Sequence, residues 1–404
     1  MVIAQGLYKT IAFKKQTALG TPATGAGAQL LRRETATFNK MTDTFDANEI
    51  VAHQQDTGVA FGISKMQGDI NGVVSAATYA PLLASLCRTA LTAGVTATGA
   101  SLTIAGSAPT FTITRAAGSY LTDGFKIGDV VRITAGAFTG IALNLNLLVT
   151  GITATVLSVI VPNGLVLFAQ GPIITSTIGV VNKKAVVPAT GQANDYYTFE
   201  EFFADITRSR TFTDCQIASA EISVPATGFA SIKLAFMGLG RTLNAAQQFT
   251  TPGAATNTSI ISAENAKVLV AGANVAIATS AMVKIDAQLQ FGDPVVGSIT
   301  LADLVKGDLR VTGTLTHLKA DETFATLFDG QGALQIIVAL FTDATNTSDF
   351  VCLSIPYAKL TTDQLDDGKK QIVASHSFVA QYNGAGGATA ATDTGIISIQ
   401  DSAA

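Results

Sequence analysis

The sequence predicts a mainly β protein: two tandem copies of one strand–turn–helix unit, with a small β module inserted in the first copy. Three observations predict it. The stretch MQGDINGVVSAATYAPLL, residues 66–83, returns ungapped at a constant offset of 245 residues as VTGTLTHLKADETFATLF, residues 311–328. Gly68/Gly313, Thr78/Thr323, Ala80/Ala325 and Leu82/Leu327 are identical, and Met66/Val311, Ile70/Leu315, Val73/Leu318, Tyr79/Phe324 and Leu83/Phe328 keep size and polarity. Residues 91–190 are rich in Ala, Thr, Gly and Val, with no Lys, Arg, Asp or Glu between Arg132 and Lys183. Each copy is followed by a pair of strand-like runs joined by a polar turn.

Residues 1–45 mix Gly, Thr and Ala with two basic pairs, Lys14-Lys15 and Arg32-Arg33, around the loop GTPATGAGAQ, and are expected to form an extended N-terminal arm. From Phe45 to Val74 the chain reads as short β segments. The first helix follows: Thr78 is its expected cap, Pro81 suits the first turn, and Tyr79, Leu82, Leu83 and Leu86 form one apolar stripe that needs a sheet beneath it. In residues 91–190, Gly, Asn and Pro interrupt every apolar window well short of the roughly 20 residues a spanning helix needs. GFKIGDVVRIT, NLLVTGITATVLSVIV and LVLFAQ instead predict a small antiparallel barrel or sandwich, projecting outward and dispensable for assembly.

After Pro188 the strand-like runs Cys215 to Val224 and Phe229 to Met237 are joined by Pro225-Ala-Thr-Gly228. Residues 251–266 read as a linker. In the second copy Asp321 and Glu322 place negative charge at the helix start, Phe324, Leu327 and Phe328 form the stripe, and Gly330 ends it. Its strand pair, Val351 to Tyr357 and Lys370 to Val379, spans an acidic loop with Asp363, Asp366, Asp367 and Gly368. The expected division is 1–90 with 191–250 as the first domain and its arm, 91–190 as the insert, and 267–404 as the second domain.

Only 13% of residues are charged, against about 25% in an average domain, so this surface suits burial against other subunits. A net charge of −4 leaves no basic footprint for sequence-specific nucleic-acid binding. Charge is uneven: residues 1–250 carry 17 Lys+Arg and 14 Asp+Glu, and residues 251–404 carry 8 and 15. Cys87, Cys215 and Cys352 lack CxxC spacing and read as buried hydrophobes. The first residues lack the pattern of a secretory signal, which predicts folding in a cytoplasm.

Catalytic chemistry finds no foothold. His53, His317 and His376 have no metal-ligand spacing, and GDPVVGS lacks the lysine of a phosphate loop and reads as a turn. Asp363, Asp366 and Asp367 do not match a calcium loop, and no GxSxG occurs. No catalytic residue, cofactor or metal is therefore expected, and the work falls to shape and assembly.

FDANEIVAHQQDTGVAFGISKMQGDINGVVSAATYAPLLASL resembles the N-terminal signature of long tail tube proteins of tailed bacteriophages, an acidic-apolar segment before a Gly-bounded strand and a short Tyr-Leu-Leu helix. YTFEEFFADI and CQIASAEISVPATGFASIKLAFMG resemble the same family's strand pair. The resemblance covers roughly residues 7–90 and 190–400. It implies β-sandwich units with a flanking helix, whose sheets close around a channel when subunits form a ring, in a virion tail assembled in the host cytoplasm. It also implies stacked rings, a tape measure protein and DNA passing through the lumen without sequence-specific binding, and tail terminator and distal tail proteins at the tube ends, with no membrane. Two units per chain predict a trimeric ring of pseudo-sixfold symmetry; the alternative is a hexamer with the second unit outside the channel wall. Lys14, Lys15, Arg32 and Arg33 are expected to meet Asp363, Asp366 and Asp367 of an adjoining subunit. A secreted or outer-membrane all-β adhesin, or a virion decoration protein, are the other readings.

Overall fold

The computed structural model describes residues 3–53, 55, 58–140, 142–162, 164–367 and 369–404; Gly368 of the acidic loop lies outside them. The chain opens with β1 (Lys9–Lys15), β2 (Thr35–Asp46), β3 (Val59–Val73) and α1 (Ala80–Leu86). A closed barrel follows, made of β4 (Thr96–Ser107), β5 (Thr110–Arg115), β6 (Val130–Ala135), β7 (Leu147–Ile152), β8 (Val156–Ile160) and β9 (Gln170–Val180). Then come β10 (Lys183–Val186), β11 (Tyr197–Phe203), β12 (Arg208–Val224) and β13 (Ser231–Gly238). The second half contains β14 (Lys267–Val270), β15 (Ala278–Asp286), β16 (Arg310–Leu318), α2 (Thr323–Asp329), β17 (Leu334–Phe341), β18 (Phe350–Leu360), β19 (Gln364–Leu365), β20 (Val373–Ala380) and β21 (Ser398–Asp401). The molecule is mainly β, as the sequence predicts.

The two halves share one topology. In the first, β1 pairs β11, β11 pairs the N-terminal part of β12, and β12 continues into a second sheet ordered β2-β3-β13-β12. In the second, β14 pairs β17, β17 pairs β18, and the end of β18 joins a sheet ordered β15-β16-β20-β18. Each half is a two-layer sandwich whose longest strand passes from one layer to the other. The reason lies in the pattern of β12: Thr211 to Ile217 are buried without alternation where both faces are covered. From Ser219 to Val224 the pattern switches to period two, burying Ala220, Ile222 and Val224.

The repeated glycines show that this equivalence reaches the atoms. Gly68 faces Phe236 on β13 and Gly313 faces Phe378 on β20. A Cβ on Gly68 would fall on the Thr37 carbonyl, and one on Gly313 on the Met282 carbonyl, the same distance of 245 residues away. Phe38, Phe199, Phe212 and Phe236 pack ring on ring in the first core, with Phe38 and Phe212 stacked at 4.9 Å between centroids. One apolar core runs through both halves.

Three expectations are corrected. Most of residues 1–45 are not an extended arm, because β1 pairs β11 over seven residues and β2 pairs β3. Residues 251–266 are not a free linker: Ile261 donates its N–H to Val74 O and accepts from Ala230 N–H, which seats the segment on the first unit. The inserted module does not project freely. The barrel has its own core, yet Val130 and Leu148 on its wall pack against Leu269, Ile337, Ala339, Phe341, Phe350 and Cys352 of the second unit. Buried polar groups fix that contact. Lys184 on β10 pairs with Asp129 of the barrel and with Asp393 near the C-terminal strand, and the Gln400 amide bonds both backbone groups of Val130. The barrel spans residues 96–180, inside the expected 91–190, because residues 92–93 and β10 pair with each other and β10 with β21 in the body.

The helices form where expected, with one local difference. Pro81 occupies the first turn of α1, but Tyr79 rather than Thr78 takes the N-cap position. Thr78 is drawn away because its hydroxyl pairs with those of Ser75 and Thr256. In α2, Asp321 accepts from the Thr323 N–H and Gly330 ends the helix.

Candidate assembly surface

The two halves join through strand pairing. β12 pairs β15 antiparallel from Ser219↔Asp286 to Val224↔Ala281, so the order across the joint is β2-β3-β13-β12-β15-β16-β20-β18, four strands from each half. Arg88, just after α1, clamps the joint by donating to Gly307 O at 2.5 Å and to Gln192. Every neighbour in this sheet is antiparallel, so its two outer strands run in opposite directions.

Those outer strands are incomplete. β2 pairs only β3. At the far side the end of β18 and the short β19 together line β20, with Leu365 half exposed. Both edges therefore present unpaired backbone groups, which soluble proteins normally cover.

One face of this sheet packs on the core and the other is polar. A single row crosses it in register: Thr35, Asn71, Lys233, Glu221, Lys284 and Thr312. Glu221 thus lies between two lysines, and Asp286 lies opposite Arg310. Opposite charges in facing positions stabilise the sheet modestly and keep either sign from dominating.

Of the residues singled out in the sequence, Lys14 donates to the carbonyls of Thr24 and Ala26, and Lys15 pairs with Asp195 at 2.8 Å. Arg32 donates to Thr258 O and Arg33 to Lys9 O, which leaves burial pushing the Arg33 guanidinium below its usual range. Asp363, Asp366 and Asp367 lie in or beside the free β18–β19 edge and are exposed or partly so. The basic pairs thus hold the N-terminal strands on their own chain, and the structure does not bring them to the acidic loop of that chain. The edges themselves carry no signal in the sequence: over residues 36–41 and their counterpart 281–286 only Ala36 and Ala281 are identical.

A buried imidazole pair underlies the acidic edge. The His317 and His376 rings stack at 5.2 Å and Phe324 of α2 covers both. His317 Nδ1 lies 2.8 Å from Leu318 O, His376 Nδ1 3.3 Å from Thr362 O, and both Nε2 atoms are buried without a hydrogen bond. Burial first, then His317, with Lys319 in the same direction, lowers the His376 pKa below 6.5, opposed by Asp363 and the Thr362 backbone; Asp321 also faces His317. A lowered folded-state pKa gives stability that is present above 6.5 and lost as pH falls through the lowered value. Melting temperature is therefore expected to fall between pH 7 and pH 5, and His376→Phe to flatten that dependence. An unchanged slope in the variant would show that the pair does not govern it.

Among the described residues no group of three or more His, Cys, Asp or Glu gathers as a metal site requires, and no helix is long and apolar enough to cross a membrane. Compared with known proteins, the chain matches the family model described as phage tail tube protein over residues 8–387. No curated protein matches it.

Proposed function

Because the chain belongs to the phage tail tube protein family, a structural component of the virion tail that assembles with itself, we propose that three copies close one ring and that stacked rings form the conduit for the genome. The observation that carries this is the β12–β15 joint, which places both halves side by side in one sheet with a free edge at each end. A head-to-tail copy of that joint between chains pairs β2 of one copy with the β18–β19 edge of the next. The alternation of directions is kept. The equivalent register sets Ala36 to Met41 against Thr361 to Asp366, and brings Arg33 and Lys40 toward Asp363, Asp366 and Asp367.

Three chains supply about 24 strand positions, which at ~4.8 Å spacing and a tilt of about 40° close at a diameter of about 50 Å. That leaves room for a duplex inside. The row of hydroxyls and alternating charges then faces the lumen, where it offers a polyanion no continuous positive track to bind. A tape measure protein fills the same lumen before DNA does, and terminator and distal tail proteins cap the ends. No site for catalysis enters this reading. It is tested by the mass of one ring, from mass per length and axial repeat: three chains of 41.5 kDa give about 125 kDa, and twice that value would contradict it.

A further inference from the structure

The duplicated groove beside each helix is filled in one unit and open in the other. In the first unit Val74 donates to Ala230 O, joining the end of β3 to the residues before β13. Segment 256–263 lies across this junction. Ile260 bridges to Ser75 and Ser262 to Phe229 in antiparallel pairs, Thr258 bonds Ala76 O, and Arg32 reaches Thr258 O. In the second unit Lys319 donates to Ile372 O in the same way. There the junction borders an open groove of about 610 Å³ lined by Ile277, Leu318, Lys319, Ala320, Gln371 and Ile372. Ile372 is 48% exposed. Asp321 and Glu322 also border it. Ile277, Lys319, Ala320, Asp321, Gln371 and Ile372 are the counterparts of Arg32, Val74, Ser75, Ala76, Phe229 and Ala230, which segment 256–263 contacts in the first unit.

The chain also contains a second segment of the kind that fills such a groove. Segment 256–263 leads through a short 3-10 turn, Ala263–Asn265, into β14. Residues 3–8 lead through the 3-10 turn Gly6–Tyr8 into β1, and β1 pairs β11 as β14 pairs β17. Ile3 is then the counterpart of Ile260. In the isolated chain Ile3 is 75% and Leu7 88% exposed, a cost to solubility that burial elsewhere would remove. The groove is continuous with the free β18–β19 edge, since Gln371 and Ile372 run directly into β20, which that edge lines.

We propose that residues 3–8 of one copy dock in the groove beside α2 of the next copy, reproducing between chains the contact that segment 256–263 makes within a chain. This rests on the ring reading and names the latch that accompanies its edge-to-edge pairing. Ile3 lies opposite Ala320 of the neighbour and Gln5 opposite Gln371. The apolar side of the segment covers Ile277, Leu318 and Ile372, and the backbone at Lys319 and Ile372 gains partners.

The Ser75–Ile260 pair is of the antiparallel type whose flanking residues carry the hydrogen bonds, with Cα atoms about 4.5 Å apart, within disulfide range. Ile3→Cys combined with Ala320→Cys should therefore crosslink assembled tubes on oxidation into dimers and closed trimers on a denaturing gel. Either cysteine alone should leave monomer, because Cys87, Cys215 and Cys352 are buried. Tubes of normal appearance without crosslinks would overturn the docking and leave the ring reading standing. In parallel, Ile3→Asp should weaken association on the order of tenfold or more, the loss of one buried isoleucine, with no change in the melting of the unassembled chain. Unchanged assembly of that variant would also overturn the docking, whereas failure of the unaltered protein to form tubes would remove the ring reading as well.

Discussion

Replacing the barrel, residues 96–180, by a short Gly/Ser linker is expected to yield protein that precipitates or binds hydrophobic dyes strongly. The side chains that Val130 and Leu148 cover are among the largest on the second unit: Phe341, Phe350, Ile337 and Leu269. Removing the cover exposes them as one contiguous apolar patch, which monomeric proteins rarely tolerate beyond a few hundred Å². The polar part of the contact fails with it. Lys184 loses Asp129 and keeps Asp393, and Gln400, buried on β21, keeps Val181 O at Nε2 but loses the Val130 N–H that its Oε1 accepts from; a buried polar atom left unpaired costs about 1–3 kcal/mol. Soluble yield and dye binding are the measurements. A soluble, cooperatively melting product that assembles normally would show that the barrel is a passenger.

Gly313→Val is expected to abolish folding of the second unit, and Gly68→Val that of the first. Both glycines sit in extended strand backbone, so the constraint is space, not dihedral freedom. At Gly313 a Cβ lands on Met282 O and on the Phe378 ring, and at Gly68 on Thr37 O and the Phe38 ring. Neither neighbour can retreat: Phe38 and Phe378 are buried, and each carbonyl belongs to a strand paired through the sheet. Overpacking typically costs about 1–3 kcal/mol and more where, as here, the clash is with a backbone carbonyl that cannot move, a large share of the roughly 5–15 kcal/mol that holds a domain folded. Thermal melting should show loss or a large downward displacement for both variants. Gly228→Ala supplies the contrast, since its turn is open and only its φ of 100° resists a side chain; a melting temperature as low as that of Gly313→Val would contradict the steric account.

The repeat was legible because its core positions are fixed by packing at one spacing. Gly68 and Gly313, Tyr79 and Phe324, and Leu82 and Leu327 hold the same places in the two units. The barrel was legible from short β-branched runs broken by Gly and Asn, which bury Ile104, Ile113, Val149 and Val159. Its docking was not, because the residues that receive it, Leu269, Ile337 and Phe350, lie on strands that read as core whichever surface covers them. The N-terminal strands were missed for a related reason. Ile11 and Phe13 are buried, but Lys9, Lys14 and Lys15 beside them gave the segment the look of a solvated arm; their ammonium groups instead reach Glu201, two carbonyls and Asp195 of the same chain. The assembly edges were hidden because an unpaired strand edge is a property of backbone, not of composition.

A reconstruction of the assembled tube tests the central claim most directly. Threefold symmetry within each ring, with α1 and α2 at similar radius and β2 of one chain paired with the 358–365 edge of the next, is the result expected. Six chains per ring, with the sheet of the second unit outside the channel wall, would contradict it.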